Sequence, residues 1–355
     1  MILVKGIFLA TYGLGINSVR YQLVLRPPVR SMMRGPKLFP NSAFLVGLTV
    51  ATVALLSCGS RPNVVAVIPR TTSTMFWEAE HAGAEFAARK SGIRIRWNAP
   101  TREDDVQLQI GMVDRAIDER CRGLILAPDE SRALMIPVQR ALAAGVPTVV
   151  VGSALPLPIQ RNLSYIVNDD EMVGRMAALR IGSILNGKGE IAVVGIDPQS
   201  LGSLSVLRSF VSVMKENFPR VAIVERRPGA NNDIDSELIV NQMLLSHPNV
   251  NAIFSLNSFG TVGAFLALKS RSLTDHVKVV GVQQSAELAN AVRLHQIDAL
   301  IAEDTYQMGY RAVELLAANQ SPQMIKLSPI LITAANVDAP ETKSFITNDW
   351  RGELQ

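Results

Sequence analysis

Cysteine and histidine are nearly missing from this chain, which has two of the first and four of the second in 355 residues. Two cysteines build no disulfide framework, and no Cys/His pair stands at metal-ligand spacing, so a structural zinc module is excluded. A phosphate-cradling Gly-rich loop and a nucleophile elbow are also missing, which removes the common nucleotide and acyl-transfer chemistries. No metal and no cofactor are therefore expected. His81, His247, His276 and His295 fall on predicted helices or element ends and read as surface or packing residues. Acidic residues are absent from the first 57 positions, which hold Lys5, Arg20, Arg26, Arg30, Arg34 and Lys37. Without those six, 29 of the 35 bases remain against 31 acids, about −2. The basic balance belongs to the leader, and nucleic-acid binding loses its compositional support.

The leader carries an uncharged run over 44–56, with Arg34 and Lys37 upstream and a polar loop from Ser60 onward. A positive stretch, a short apolar stretch and a small residue before the break make a secretory signal, and the run is short for a membrane span. Leu55 to Cys58 resembles the lipobox of bacterial lipoproteins, which implies export and a lipid anchor on Cys58 at the cell envelope, in the periplasm or on the outer face of the cytoplasmic membrane. The competing reading is a buried cysteine after an anchor helix. Residues before Met32 do not fit the signal, so the expected start is Met32 or Met33. With Cys58 acylated, Cys121 has no disulfide partner and is expected in the core.

From Val64 onward strands and helices alternate. Residues 64–68 form an apolar β-branched run of the kind buried on both faces of a parallel sheet. Pro69 stops it, a polar loop follows, and Ser73 or Thr74 is placed to cap the next helix. Phe76 and Trp77 then stand above the carboxyl end of the strand, where open α/β sheets bind ligands. They offer a flat stacking surface, or else both rings are core. Further strands are predicted over 93–97, 123–127, 148–151, 165–167, 190–196, 221–226, 251–256, 277–282 and 299–302. Helices are predicted between them, with a last one over 307–318. The pattern means βαβ units in two halves of one plan. The fold class is α/β, two doubly wound parallel-sheet domains whose polar loops share one cleft. Asp169-Asp170-Glu171 reads as a helix cap with acids in its first turn rather than as a metal site. Glu303-Asp304 closes a strand at the cleft.

These segments resemble the periplasmic sugar-binding proteins of the ribose-binding type, relatives of the ligand domains of LacI-like repressors. The resemblance rests on 64–68 with Phe76-Trp77 and Ala82-Gly83-Ala84, on 123–128 and 144–150, and on Asp169-Asp170 with 174–178. It continues through 254–257 and 279–282, covering nearly all of 63–338. It implies two lobes, 64–167 with 303–328 and 168–302 with 329–338. A three-crossing hinge near 167–168, 302–303 and 326–329 joins them. Residues 1–57 are then the signal, 58–63 a lipidated linker, and 339–355 a tail without a signal. It also implies ligand contacts at Thr74, Phe76, Trp77 and Asn257. The family's Asp-Arg pair after the fourth strand is replaced by Gly152-Ser153. Leu204 stands where an Arg is expected, with Arg208 one turn on. Gln283 replaces an Asp, the aromatic expected near Asn231 is absent, and Glu303 or Asp304 replaces a Gln. The expected pocket therefore keeps a stacking wall and neutral amides and gains an acid, with Asp169 at the first crossing.

The function expected is that of a monomeric, lipid-anchored substrate-binding protein of an ABC-type importer. It would capture a sugar or sugar-like ligand by hinge closure and deliver it to a permease. Alternatives are a receptor subunit for a kinase or chemoreceptor, or a binder of a nucleoside or amine-bearing ligand. A repressor is disfavoured by the missing helix-turn-helix and the export signal. An enzyme around Glu303, Asp304 or Asp169 is disfavoured because no nucleophile, base pair or metal cluster accompanies them.

Overall fold

The computed structural model describes residues 62–346 except Ser73, Gln283 and Gln284. The leader with Cys58, the candidate cap Ser73, the site candidate Gln283 and the last nine residues lie outside the described residues.

Twelve strands form two six-stranded sheets. The first sheet holds β1 (Val64–Ile68), β2 (Arg94–Trp97), β3 (Gly123–Leu126), β4 (Thr148–Gly152), β5 (Leu163–Asn168) and β11 (Met324–Leu327), in the order β11-β5-β4-β3-β1-β2. The second holds β6 (Lys188–Ile196), β7 (Arg220–Pro228), β8 (Ala252–Ser255), β9 (Lys278–Val282), β10 (Ala299–Ala302) and β12 (Ile330–Thr333), in the order β12-β10-β9-β8-β6-β7. Among the pairs of described strands, only β10–β12 is antiparallel. The two orders match strand for strand, so the repeat read from the alternation is a repeat of topology.

Each sheet is buried on both faces, and the two-residue period divides its side chains between two cores. Val65 and Val67 pack on one side with α1 (Met75–Ser91) and α9 (Thr305–Ala317). Ala66 and Ile68 pack on the other with α2 (Val106–Asp118) and α3 (Met135–Ala143). In the second sheet, Ile191 and Val193 meet α4 (Asp170–Ile184) and α5 (Leu201–Asn217). Ala192 and Val194 belong to the opposite core with α6 (Asp233–Ser246), α7 (Ser258–Ser270) and α8 (Ala286–Arg293).

Glycines set the closest helix contacts. A Cβ on Gly83 in α1 would lie 2.0 Å from the Tyr306 carbonyl oxygen in α9, and one on Gly309 would lie 2.0 Å from the Glu80 carbonyl oxygen. Gly174 does the same for α4 against α5, at 2.3 Å from the Val206 carbonyl oxygen. These backbones touch, and a methyl group has nowhere to go.

The chain passes from one sheet to the other three times, at β5–α4, β10–α9 and β11–β12. Three features go beyond the sequence expectations. The edge strands β11 and β12 were not predicted, because half-exposed four-residue runs carry little periodicity. Helix α5 begins at Leu201, capped by the Ser200 hydroxyl, a cap not assigned from the sequence. In the stretch read as a tail without signal, α10 (Pro340–Ile346) buries Ile346 in the second sheet's outer core. Cys121 is buried, as expected of it.

Candidate ligand-binding cleft

β1 lies between β2 and β3, and β6 lies between β7 and β8, so the strand order reverses beside each of them. Loops leaving the carboxyl ends diverge there and leave a crevice. The loops from both sheets line one cavity of about 370 Å³, within the usual range for a small-molecule site. Arg70, Thr74, Phe76 and Trp77 enter it after β1, and Glu103 after β2. Asp197, Gln199 and Ser200 enter it after β6, and Asn257, Ser258 and Phe259 after β8. The crossings contribute Asn168, Asp170 and Glu303.

Of the residues singled out in the sequence, Thr74, Phe76, Trp77, Gly152, Ser153, Asn231, Asn257 and Glu303 line the cavity. Asp169, Leu204, Arg208 and Asp304 are not among its lining residues. Asp169 is the N-cap of α4, its carboxylate accepting from the Met172 amide. Asp304 caps α9 in the same way, accepting from the Gln307 amide at 3.0 Å. Arg208 is exposed on α5, two residues beyond Val206, which lines the cavity.

The aromatic wall differs from the flat surface expected. Phe76 and Trp77 meet edge to face, with centroids 4.8 Å apart and planes at 81°. Trp77 is 5 % exposed and belongs to the first core, so it is core and cavity wall at once. Its indole Nε1 donates to Glu103 at 3.4 Å. Phe259, in the first turn of α7, also lines the cavity and was not among the sequence candidates. Thr74 holds the cap position of α1, but its hydroxyl makes no cap bond and is buried without a partner. Asn257 spends its Oδ1 on the Gly260 amide at 2.7 Å, leaving its amide NH2 as the group that can donate to a ligand.

The expectation of one added acid among neutral amides is corrected by Arg70. Its Nε donates to Asp129 Oδ1 at 3.3 Å and its Nη2 to Asp197 Oδ2 at 3.1 Å, with Glu103 Oε2 at 3.7 Å. Burial lowers its pKa and the three carboxylates raise it by more, so it stays charged. Burial pushes the Asp129 carboxyl up to about 8 against the pull of Arg70. Gln109 holds this corner together. Its side-chain amide donates to the carbonyls of Pro69 and Ala127, and its Oε1 accepts from the Asp129 amide. An isolated arginine directly after a buried strand was the available signal for Arg70.

Gly152-Ser153 has a role of its own. Gly152 turns the chain at φ +73°, where a side chain is strained. Ser153 Oγ then accepts from the Gly202 amide at 3.1 Å and lies 3.4 Å from Ser200 Oγ. Ser131 Oγ accepts from the Leu201 amide at 3.3 Å. The first-turn amides of α5, otherwise without helical partners, are thus met by hydroxyls from the opposite lobe.

On the cavity floor, burial raises Glu303 to about 8, with a smaller push from the Asp170 charge. Burial likewise raises Asp170 to about 7, helped by the neighbouring Asp169. Among the described residues no group of three or more His, Cys, Asp and Glu is arranged to hold a metal ion.

Two matched α/β lobes, joined by three crossings and enclosing a polar cavity with aromatic walls, define a type I binding-protein architecture. Residues 65–321 match the model of the periplasmic binding protein domain, and the chain belongs to that family. It is 24% identical over 293 residues to the D-allose-binding periplasmic protein of Escherichia coli, covering 81% of this chain and 92% of that one. It is 24% identical over 306 residues to the D-apiose import binding protein of Paraburkholderia graminis, covering 82% and 95%. A carbohydrate transporter solute-binding protein from Agrobacterium radiobacter, solved with D-arabinose, shares the fold. That match has a TM-score of 0.76 at 21% identity, covering 82% of this chain and all of that one.

Proposed function

We propose that this chain is the solute-binding component of an ABC-type importer, capturing a sugar or sugar-like solute in the cleft and presenting it to a membrane permease. The observation that carries the reading is the cavity, lined from both sheets by aromatic rings, hydroxyls, amides and carboxylates. Such groups suit a ligand with apolar ring faces and a polar edge. The relatives named for D-allose and D-apiose support the same ligand class.

The lobes, 64–167 with 303–328 and 168–302 with 329–338, rotate about the three crossings. A ligand touching both stabilises the closed form, so affinity depends on the free energy by which it favours that state. The contacts of Arg70 with Asp197, and of Ser131 and Ser153 with α5, add lobe-to-lobe bonds that exist only when the cleft is shut. Export and tethering through Cys58 complete the reading, with the binding protein acting as a monomer.

A thermal-shift series with D-allose, D-apiose, D-ribose, D-arabinose and xylitol tests it. A ligand at about 100 times its Kd stabilises the native state by about 2.7 kcal/mol. The expected result is a clear upward shift with one or more of these. A flat response to all of them, with a shift produced by a nucleoside, would overturn the sugar reading.

A further inference from the structure

The base of the first lobe, at the amino ends of its strands, is strongly basic. Residues 89–96 and 115–122 carry seven Lys or Arg against two acids, in a chain whose balance beyond the leader is about −2. Glu314, in the last turn of α9, brings a third acid to this end. Arg89 and Lys90 stand in the last turn of α1 and Arg115 in that of α2, where cations complement the helix dipole. Arg94, Arg120 and Arg122 lie outside the helices and have no such duty.

Hydrogen bonds gather these segments around the point where the chain enters β1. The Asn63 side-chain amide donates to the Gly92 carbonyl at 2.7 Å, and the Asn63 carbonyl accepts from the Arg94 amide at 3.1 Å. The Arg122 backbone amide donates to the Val64 carbonyl at 2.8 Å, and its guanidinium donates to Asn63 Oδ1 at 3.1 Å and to the Ala317 carbonyl at 3.2 Å. Arg96 and Arg115 share the Glu119 carboxylate. Arg94 and Arg120 are exposed, and among the described residues their guanidinium groups have no hydrogen bond or ion pair. Both flank the entry to the first strand with their charge unspent.

Six peptide bonds separate Cys58 from Val64, so even a fully extended chain keeps Val64 within about 20 Å of a lipidated Cys58. Resting on the anchoring at Cys58 read above, we propose that the base of the first lobe docks on the anionic phospholipid headgroups of the membrane that holds the anchor. A guanidinium matches a phosphate with two parallel hydrogen bonds. Each Lys or Arg at an anionic surface strengthens binding by about fivefold. A lipid and a basic patch together hold a protein to a membrane far better than either does alone, and the short tether makes the second contact intramolecular. The cleft is built at the opposite, carboxyl ends of the same strands. A lobe seated on its base therefore holds the cleft away from the bilayer, where solute arrives.

Amide hydrogen exchange on the full chain, expressed with its leader and reconstituted into vesicles, tests this. The vesicles are phosphatidylcholine alone, or phosphatidylcholine with an equal part of phosphatidylglycerol. The expected result is that 89–92 and 118–122 exchange about fivefold more slowly, or slower still, when phosphatidylglycerol is present. High salt should abolish that difference, a readout that needs no variant to fold. Arg94→Glu with Arg120→Glu should also abolish it. Lys188→Glu with Lys215→Glu, the same change of charge at the base of the second lobe, should keep it. Protein that floats with both kinds of vesicle and shows no lipid-dependent difference would overturn the proposal and leave the anchor standing. Equal slowing in both, insensitive to salt, would overturn it in favour of an uncharged contact. A difference that survives Arg94→Glu with Arg120→Glu would overturn the placement on this base. Protein that floats with neither would overturn the anchor and the proposal together.

Discussion

Glu80 is fully buried on α1 where that helix crosses α9, and neither carboxyl oxygen has a hydrogen-bond partner. Burial raises its pKa to about 8 from an ordinary 4.5. The folded protein therefore holds this proton more tightly than the unfolded chain does. Stability from this group is present in full below about pH 4.5 and is lost as the pH rises through about 8. At 1.36 kcal/mol per unit, the linkage removes roughly 3–4 kcal/mol between pH 5 and pH 8. Glu80→Gln keeps the shape and abolishes the titration. Its unpartnered amide carries a penalty of its own, but that penalty does not change with pH. Asp129, Asp170 and Glu303 shift in the same direction and are common to both proteins, so they cancel in the difference. Urea denaturation of wild type and Glu80→Gln at pH 5, 6.5 and 8 reads the effect. The variant should gain on the wild type by roughly 3–4 kcal/mol over that span. A difference that stays flat with pH would refute the reasoning, because it would mean that the Glu80 carboxylate is solvated or paired in the folded state.

Trp77→Ala should cost about 3–5 kcal/mol of stability as well as ligand affinity, because the ring fills the first core. Trp77→Phe keeps most of the packing and loses the Nε1 bond to Glu103, so melting and binding measured side by side should separate the two roles. A Trp77→Ala protein with an unchanged melting temperature would show that the ring is not core. Gly83→Ala should lower stability by about 1–3 kcal/mol or more, since its Cβ meets the Tyr306 carbonyl at 2.0 Å. Gly111→Ala, on the exposed side of α2 with nothing within 4 Å, is the control and should be neutral or stabilising. Equal melting temperatures for the two alanine variants would contradict the close α1–α9 contact.

Part of the cavity lining was legible because it is local. Phe76 and Trp77 follow β1, and position after a buried strand nominated them, whereas Thr74 and Asn257 were nominated by the family resemblance. Two of the nominated acids, Asp169 and Asp304, each stand one residue from an acid that lines the cavity. Asp169 and Asp304 each stand immediately before a helix and accept from one of its first-turn amides, while the next or preceding residue, Asp170 or Glu303, lines the cavity. The capping preference of Asp, read in the sequence for Asp169-Asp170-Glu171, applies equally to Asp304. Phe259 was missed because it lies inside a helix, where an aromatic ordinarily means packing.

The amino-acid sequence by itself determined the alternation of strands and helices, the doubling of the plan, and the polar loops at the strand ends. Hydrophobic periodicity is a short-range property, and it dictates these elements whatever surrounds them. Tertiary structure alone decided which loops meet. Arg70, Glu103, Asp129 and Asp197 come from four separate strand ends, and only the order of both sheets and the closing of the lobes gathers them around one guanidinium. The same holds for Ser131 and Ser153 at the start of α5. Charge balance in the cleft is a sum over residues far apart in the chain, and a reading along the chain cannot perform that sum until the fold has chosen its members.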